Sequence, residues 1–152
     1  MAKQLQVRRG VEQAQNLFTG AEGEITMTID TKELRVHDGT KVGGFRVPTL
    51  VAVQYPNSAN NYTWYRKYSD GWVEQGGYAI AGQYNNGTAI TLPVTMANTN
   101  YTVLVAPLTQ NHWTDSAMYS RDSASQITIY AGFNGGNGQS AEVSWEVKGL
   151  AA

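Results

Sequence analysis

The sequence has no cysteine and only two histidines among its 152 residues. Without cysteine, the chain can form neither a disulfide framework nor a thiolate metal site. Such a chain can also persist in either a reducing or an oxidising compartment. We therefore expect no metal and no other cofactor.

Charge of either sign is sparse, because Asp, Glu, Lys and Arg make up 15% of the residues and the net charge is −1. A nucleic-acid-binding surface needs an excess of basic side chains to neutralise phosphates, so we expect no nucleic acid partner. No apolar run approaches the roughly 20 residues of a membrane-spanning helix, which argues against membrane insertion. Residues 1–4 lack the apolar segment of a signal peptide, so we expect synthesis in a cytoplasm.

Composition changes near residue 50, which indicates two parts with different roles. Residues 1–50 carry 13 of the 23 charged side chains, and the remaining 102 residues carry 10. The second part is rich in Asn, Gly, Thr, Ser and Tyr, residue types that suit binding by adaptable polar contacts. The same residue types also suit tight turns in a β-protein, and both interpretations are open.

Residues 1–50 predict a small β-meander. Apolar and polar side chains alternate over 24–30 and 34–37, after a short strand at 5–8 and about two helical turns at 11–17. The apolar side chains of the two longer strands share one face: Ile25, Met27, Ile29, Leu34 and Val36. Fifty residues bury too little surface to be stable alone, so we expect oligomerisation or packing on a neighbour.

A β-hairpin is predicted over residues 64–77, with Asp70-Gly71 at its turn between two runs of strand-forming residues. With Gly71 in the left-handed conformation of a bulge, Arg66 lies opposite Glu74 and Tyr68 opposite Trp72. A two-residue turn pairs Lys67 with Glu74 instead, and this register is also open. The residues that define the predicted hairpin are Trp64, Arg66, Tyr68, Asp70, Gly71, Trp72 and Glu74. The two glycines that follow, residues 76 and 77, permit a sharp bend or bulge.

Further short strands are predicted at 88–92, 101–105, 126–130 and 141–148, without any helical pattern of useful length. Short strands at this spacing predict an antiparallel β-sandwich. Its predicted inward-facing side chains are Ile90, Leu92, Tyr101, Val103, Val105, Ile127, Ile129, Val143, Trp145 and Val147. Residues 51–61 contain Pro56 and a small-polar run, which indicates a linker, although alternation in the first half also permits a strand.

The first part contains five motifs in a fixed order. These are Arg8-Arg9-Gly10, Phe18-x-Gly20-x-x-Gly23-Glu24, Asp30, Leu34-x-Val36-His37-Asp38-Gly39 and Gly43-Gly44. Over residues 4–47 this succession resembles the N-terminal domain of phage major tropism determinants and phage hyaluronate lyases. The resemblance implies an interlocked homotrimer of β-meanders that attaches or orients a fibre, and it carries no lyase chemistry. The residues assigned to this attachment and trimer module are Arg8, Arg9, Gly10, Phe18, Glu24, Asp38 and Gly39.

The aromatic hairpin, followed by Ile90-Thr91-Leu92-Pro93 and Asn100-Tyr101-Thr102-Val103, carries a second resemblance. Residues 62–150 resemble the C-terminal domain of putative phage and prophage tail-fibre proteins. The resemblance implies a distal β-sandwich, usually trimeric, that touches the host surface. The predicted fold is therefore all-β, with a trimerising β-meander at 1–50, a linker at 51–61 and a β-sandwich tip at 62–152.

Receptor-binding candidates lie in the aromatic and polar segment 107–123 and in the Gly-rich loop 133–139. They are Asn111, His112, Trp113, Asp115, Tyr119, Arg121, Asn134 and Asn137. In the alternative interpretation, Trp113 and Tyr119 fill the core or a trimer axis. Glu22 and Glu24 form a possible carboxylate pair for glycoside hydrolysis, but their place in the attachment motif favours a structural role. We interpret His37 as a solvated residue of the Asp38-Gly39 turn and not as a metal ligand or base.

These resemblances predict a structural virion protein and no enzyme: a short trimeric fibre that docks on a tail or capsid protein through residues 1–50. Its sandwich is expected to bind a host-surface glycan or outer-membrane component. A head fibre or capsid decoration is the first alternative, because the two modules are nearly adjacent. A glycan-degrading fibre tip is the second. In each case we expect the protein to reside in the virion after synthesis in the host cytoplasm.

Overall fold

The computed structural model describes residues 7–83, 86–108, 116–132 and 140–152. The chain divides into two compact units, one of residues 1–50 with 68–70 and one of residues 51–67 with 71–152. The described residues form twelve strands, one helix of four residues and one 3-10 turn, so the predicted all-β class is confirmed.

The first unit contains β1 (Arg8–Gly10), α1 (Glu12–Gln15), β2 (Ile25–Thr28), β3 (Leu34–Val36) and β4 (Phe45–Val47). These strands form one sheet in the order β1-β2-β3-β4. Strands β2 to β4 make the predicted antiparallel meander, but β1 pairs with β2 in parallel and connects to it through α1. The meander prediction was therefore incomplete, because a parallel partner leaves no local turn signal in the sequence.

The interior of the first unit is polar. Its fully buried side chains are Gln15, Thr26, Thr28, Glu33, Arg35 and His37, whereas all hydrophobic side chains buried among the described residues belong to the second unit. Strand alternation was predicted correctly, but the polar side of the sheet is the buried side. The first unit therefore lacks a hydrophobic core of its own within a single copy.

The second unit is built mainly of β-strands. They are β5 (Leu50–Gln54), β6 (Trp64–Tyr68), β7 (Trp72–Gln83), β8 (Thr88–Thr91), β9 (Thr102–Pro107), β10 (Ser116–Ser123), β11 (Gln126–Gly132) and β12 (Ala141–Leu150). Residues 51–61, expected as a linker, contain most of β5, which pairs with β6, and the 3-10 turn Ser58–Asn60. This segment is therefore part of the folded second unit.

The long strand β7 joins two layers of the second unit. It pairs with β12 along most of its length and with β6 over residues 73–76. Its end pairs in parallel with β11, which also pairs with β8 and β10. Inward side chains of β9 and β12 pack against those of β11 to form one hydrophobic core. The predicted inward residues of the strands are all buried in this core or packed against it.

The hairpin between β6 and β7 adopts the first of the two predicted registers, because Arg66 lies opposite Glu74 and Lys67 opposite Val73. Gly71 has a φ of +86°, the left-handed conformation expected at that turn. The bend or bulge that Gly76 and Gly77 permit does not form, since β7 runs through both and pairs continuously with β12. A Cβ at Gly76 would lie 2.6 Å from the Trp145 carbonyl oxygen and 2.9 Å from the Trp64 ring, and a Cβ at Gly77 would lie 3.3 Å from the Trp145 ring.

Candidate functional site

The first exposed surface lies on the sheet of the first unit. Cross-strand pairing aligns Ile25 with Val36 and Phe45, and Met27 with Leu34 and Val47. We call these six residues the apolar sheet face. All except Met27 are between 38% and 49% exposed. Half-exposed aliphatic and aromatic side chains on a regular sheet form a continuous patch suited to association with another protein surface.

Charged side chains lie on the opposite side of that sheet. Nη1 of the buried Arg35 donates to the Gly43 carbonyl at 2.9 Å, but its Nε and Nη2 atoms are buried without a hydrogen-bond acceptor. Arg46 bonds to Glu33 at 3.1 Å and also to Glu12. Burial of charge is costly even when the groups are paired. Because the buried side chains of the first unit are polar or charged, they contribute little of the hydrophobic stabilisation that usually holds a fold together.

His37 is buried, so the prediction of a solvated histidine is wrong. The Gly20 N–H donates to Nδ1 at 3.1 Å, which places the proton of the neutral ring on Nε2, where Thr26 Oγ1 accepts at 3.0 Å. A Cβ atom at Gly20 or Gly44 would approach the His37 ring within 2.9 Å. The space around the His37 ring thus depends on Gly20 and Gly44, two glycines that are visible in the sequence.

The structure brings three residues of the predicted attachment module together. Arg8 Nε lies 3.2 Å from Glu24 Oε1, and its guanidinium lies 4.5 Å from the centre of the Phe18 ring. Glu24 Oε2 also accepts the Ala21 N–H at 3.0 Å, which gives this carboxylate a structural role. Arg9 and Gly10 continue β1, and the attachment role of the whole set stays a prediction.

Asp38 and Gly39 form the predicted turn. Asp38 Oδ1 accepts the backbone N–H groups of Lys41 at 2.7 Å and Thr40 at 2.9 Å, and Gly39 has a φ of +79°. These two hydrogen bonds, that of Lys41 first, lower the pKa of Asp38 to about 2. The carboxylate therefore stabilises the turn in its ionised form.

The second exposed surface is a cavity of about 690 Å³ in the second unit. It lies on the side of β7, β12 and β9 that faces away from the hydrophobic core. We name it the aromatic groove and define it by Tyr62, Trp64, Tyr78, Leu104 and Glu146. Cross-strand pairing places Gly76, Glu146 and Leu104 in one row, with Trp64 opposite Gly76.

Trp64 is the central side chain of the groove. Its ring packs on Gly76, where an added Cβ would lie 2.9 Å from Cζ2 and 3.0 Å from Cε2. The same ring lines an adjoining cavity of about 380 Å³, together with Arg66, Glu74 and Glu146. The sheet therefore supports the indole from below while the ring borders both cavities.

Tyr62 reaches the groove from an unusual backbone conformation. Asn61 and Tyr62 have φ values of +54° and +56°, which cost roughly 1–2 kcal/mol each for residues other than glycine. Asn57 holds the turn, because its side chain accepts two backbone N–H groups and its carbonyl accepts the Tyr62 N–H at 2.9 Å. This geometry places the Tyr62 and Tyr78 ring centres 6.1 Å apart.

Glu146 lines the aromatic groove, Arg66 and Glu74 line the adjoining cavity, and Lys148 lies beside both carboxylates; we call these four side chains the charged edge. Lys148 Nζ lies 3.0 Å from Glu146 Oε1 and 3.9 Å from Glu74 Oε1, and Arg66 lies opposite Glu74. The hydrogen bond that Lys148 donates to Glu146 raises the pKa of Lys148 above its usual value. The charged edge therefore has no net charge and presents carboxylate oxygens beside the aromatic rings.

Two of the eight predicted receptor-binding residues lie within the described structure, Tyr119 and Arg121, both on β10. They pair with Ile129 and Ile127 of β11, but Tyr119 is 44% exposed and Arg121 is exposed as well. Arg121 Nη1 donates to the Tyr101 carbonyl at 3.1 Å. Their role in binding stays a prediction. Asn111, His112, Trp113, Asp115, Asn134 and Asn137 lie outside the described residues.

Sequence reasoning missed the aromatic groove as a candidate site. The sequence signal was the pairing of Trp64 with Gly76, which follows from the hairpin register and leaves space for the indole.

Within residues 7–83, 86–108, 116–132 and 140–152, no cluster of three or more His, Asp or Glu side chains is arranged to hold a metal. In the same ranges, no helix has the length and apolar character to cross a membrane.

Comparison with known proteins supports the first resemblance. Residues 5–41 match the family model described as the major tropism determinant N-terminal domain. The tail fibre receptor-binding protein of Bordetella phage BPP-1 is 30% identical over an alignment of 115 residues, and the match covers 69% of this chain and 30% of that relative. The predicted resemblance to a phage fibre protein with this kind of N-terminus is confirmed. The chain spans less than a third of that relative's length.

Two solved structures are also similar in part. The N-truncated R2-type pyocin tail fibre has a TM-score of 0.46 at 15% identity, over 66% of this chain and 39% of its own. The P3c variant of the major tropism determinant has a TM-score of 0.28 at 23% identity, over 91% of this chain and 35% of its own. TM-scores in this range support no further argument. The resemblance of residues 62–150 to tail-fibre C-terminal domains stays a prediction.

Proposed function

We propose, from the match of residues 5–41 to the model of the major tropism determinant N-terminal domain, that this chain is a structural protein of a bacteriophage tail fibre. It is a short homotrimer. Residues 1–50 hold three copies together and dock on another virion protein, and the second unit binds a saccharide or an outer-membrane component of the host surface without catalysis. The protein is synthesised in the host cytoplasm and resides in the virion.

The apolar sheet face is the observation that carries this proposal. The first unit has polar side chains inside and a row of half-exposed Val, Ile, Leu and Phe side chains outside. Completing the burial of such a side chain contributes about 1 kcal/mol, half the value for full burial. Association through this face therefore gives the first unit the hydrophobic core that a single copy lacks. The trimeric state is taken from the family resemblance.

Receptor binding is proposed from the relatives and from the second unit. The relative from Bordetella phage BPP-1 is named as a tail fibre receptor-binding protein. The second unit of this chain has its own hydrophobic core and an exposed aromatic groove. A rigid β-scaffold that presents exposed aromatic and polar groups is a suitable support for a binding surface. Three linked copies raise the effective concentration of a weak site.

The solution mass of the intact chain, measured by light scattering, tests the assembly. We expect three times the chain mass of 16.6 kDa. The substitution Val36→Asp places a charge in the centre of the apolar sheet face and should weaken assembly at least tenfold. The matched control is Val42→Asp, since Val42 is 59% exposed and lies outside this face.

Either of two results would count against the proposed assembly. One is a stable monomer for the unaltered chain at micromolar concentration. The other is an equal effect of the Val36 and Val42 substitutions on mass, because the apolar sheet face would then have no special part in assembly.

A further inference from the structure

We propose that the aromatic groove is a binding site for an uncharged saccharide, with Trp64 as its stacking platform. The inference rests on the proposed role of the second unit in host binding, and it deepens that role by naming a site and a ligand class. The site differs from the loops at 107–123 and 133–139 that the sequence suggested.

The first argument is the support of Trp64. The indole packs on Gly76, so the backbone of β7 and its hydrogen-bonded neighbour β12 fix the position of the ring. An immobilised aromatic ring loses little conformational freedom when a ligand binds. The C–H face of a pyranose ring packs well on such a surface, by dispersion and by weak C–H contacts with the π-system.

The second argument is the placement of Tyr62 and Tyr78 beside Trp64. Tyr78 follows Gly76 by two residues on β7 and therefore occupies the next row on the same side of the sheet. Its ring pairs with Tyr62, which the left-handed residues Asn61 and Tyr62 bring into position. Strained backbone of this kind is frequent where a binding surface is preorganised.

The third argument is the charge of the groove edge, which selects the ligand class. Glu146 lines the groove, Arg66 and Glu74 line the adjoining cavity, and Lys148 Nζ lies 3.9 Å or less from Oε1 of both carboxylates, so the two acidic and two basic side chains have no net charge. The Glu146 carboxylate can accept hydrogen bonds from ligand hydroxyl groups. A uronate or a phosphate stacked on Trp64 would meet the Glu146 carboxylate, and the four charged side chains together supply no net positive charge to offset the repulsion. Hydroxyl-rich, uncharged sugars suit this arrangement better.

The size of the groove is also suitable. The two adjoining cavities of about 690 and 380 Å³ share Trp64 and Glu146, and each falls within the ~300–1,000 Å³ of small-ligand sites. Because the rings of Trp64 and Tyr78 occupy successive rows, we expect an oligosaccharide to bind more tightly than a single sugar.

The test is performed on the intact chain in its native assembly. A glycan array that carries neutral and anionic bacterial oligosaccharides identifies the bound class, and calorimetric titration with the strongest neutral oligosaccharide gives its Kd. We expect neutral glycans to bind and Trp64→Ala to raise the Kd at least tenfold. Glu146→Gln should raise it about threefold to tenfold, since the amide keeps the shape but loses the charge.

The matched control is Trp72→Ala. Trp72 lies on β7, is 40% exposed and pairs with Leu150, away from the residues that line the groove. This variant should change the Kd by less than twofold. Circular dichroism and light scattering on each variant confirm that the fold and the assembly are retained.

Three outcomes overturn the inference. The first is an array on which no neutral glycan binds, and the second is equal loss of binding in the Trp64 and Trp72 variants. The third is a drop in assembly mass for Trp64→Ala without a change in Kd, which shows that a second copy covers the groove. A monomeric unaltered chain that still binds neutral glycans through Trp64 would overturn the fibre proposal and leave this site intact.

Discussion

At the scale of the residue, Gly76 determines where the Trp64 ring can lie. We predict that Gly76→Ala destabilises the second unit by roughly 1–3 kcal/mol, because its Cβ would lie 2.6 Å from the Trp145 carbonyl oxygen and 2.9 Å from the indole. The free energy of unfolding, obtained by urea denaturation, measures the effect. Tryptophan fluorescence reports whether the indole is displaced.

Gly71→Ala is the comparison for this experiment. At Gly71 the nearest atom to an added Cβ is 3.9 Å away, so the cost comes from the φ of +86° and is about 1 kcal/mol. A Gly76→Ala variant as stable as the unaltered chain, or less affected than Gly71→Ala, would contradict the close approach of Trp64.

His37 gives a second prediction at this scale. His37→Phe retains the ring but removes both nitrogen atoms, which leaves the Gly20 N–H and the Thr26 hydroxyl buried without partners. The loss of stability should be roughly 1–3 kcal/mol for each unsatisfied group. Thermal unfolding followed by circular dichroism tests this. The double variant His37→Phe with Thr26→Val should recover part of the loss, and no recovery would contradict the assigned hydrogen bond.

At the scale of the element, turns and strands were the most predictable features. Asp70-Gly71 located the β6–β7 hairpin and left two registers open, of which the structure adopts the one with Arg66 opposite Glu74. The inward residues of β8, β9, β11 and β12 followed from alternation. The parallel β1–β2 pair was not predictable, because it depends on contacts distant in sequence. Alternation also could not tell which side of the first sheet is buried, since it defines two faces without saying which one meets solvent.

The candidate site was less predictable than the fold. The hairpin register implies that Trp64 faces Gly76. The rest of the groove is formed by residues of β9 and β12, which are distant from Trp64 in the sequence. The conformation of Asn61 and Tyr62 had no strong local signal either, because neither residue is glycine. Sequence reasoning therefore favoured long polar loops and missed a site on regular strands.

The turn at Asp38 makes stability dependent on pH. Because the pKa of Asp38 is lowered to about 2, its contribution is complete above the ordinary value of 3.8 and is lost as the pH falls through 2. We predict that the thermal midpoint of the unaltered chain falls between pH 4 and pH 2, and that it falls less in Asp38→Asn.

Glu142→Gln is the control for this titration, since Glu142 is an exposed carboxylate on β12 in the other unit. The thermal midpoint of the Glu142→Gln variant should change with pH in the same way as that of the unaltered chain. An identical profile for the Asp38 and Glu142 variants would show that the turn hydrogen bonds do not couple to stability.

At the scale of the whole molecule, the two units have opposite organisation. All buried hydrophobic side chains among the described residues lie in the second unit. We therefore predict that a fragment of residues 51–152 folds cooperatively, remains monomeric and is not incorporated into virions. Light scattering, near-ultraviolet circular dichroism and virion assembly assays test these three properties.

The fragment of residues 51–152 has two informative failures. If it has the same subunit number as the intact chain, assembly does not depend on the first unit. If it is unfolded, the second unit needs the first for stability, and the proposed division of labour between the units is wrong.

The polar interior of the first unit also affects how this protein responds to dilution. When the apolar side chains of a fold are covered only by other copies, unfolding and dissociation are one equilibrium, and the melting temperature rises with protein concentration. Under the proposed association, dilution then acts on the first unit as a denaturant does. Newly made chains are therefore most vulnerable to proteolysis while they are scarce, and they become durable once enough copies have accumulated.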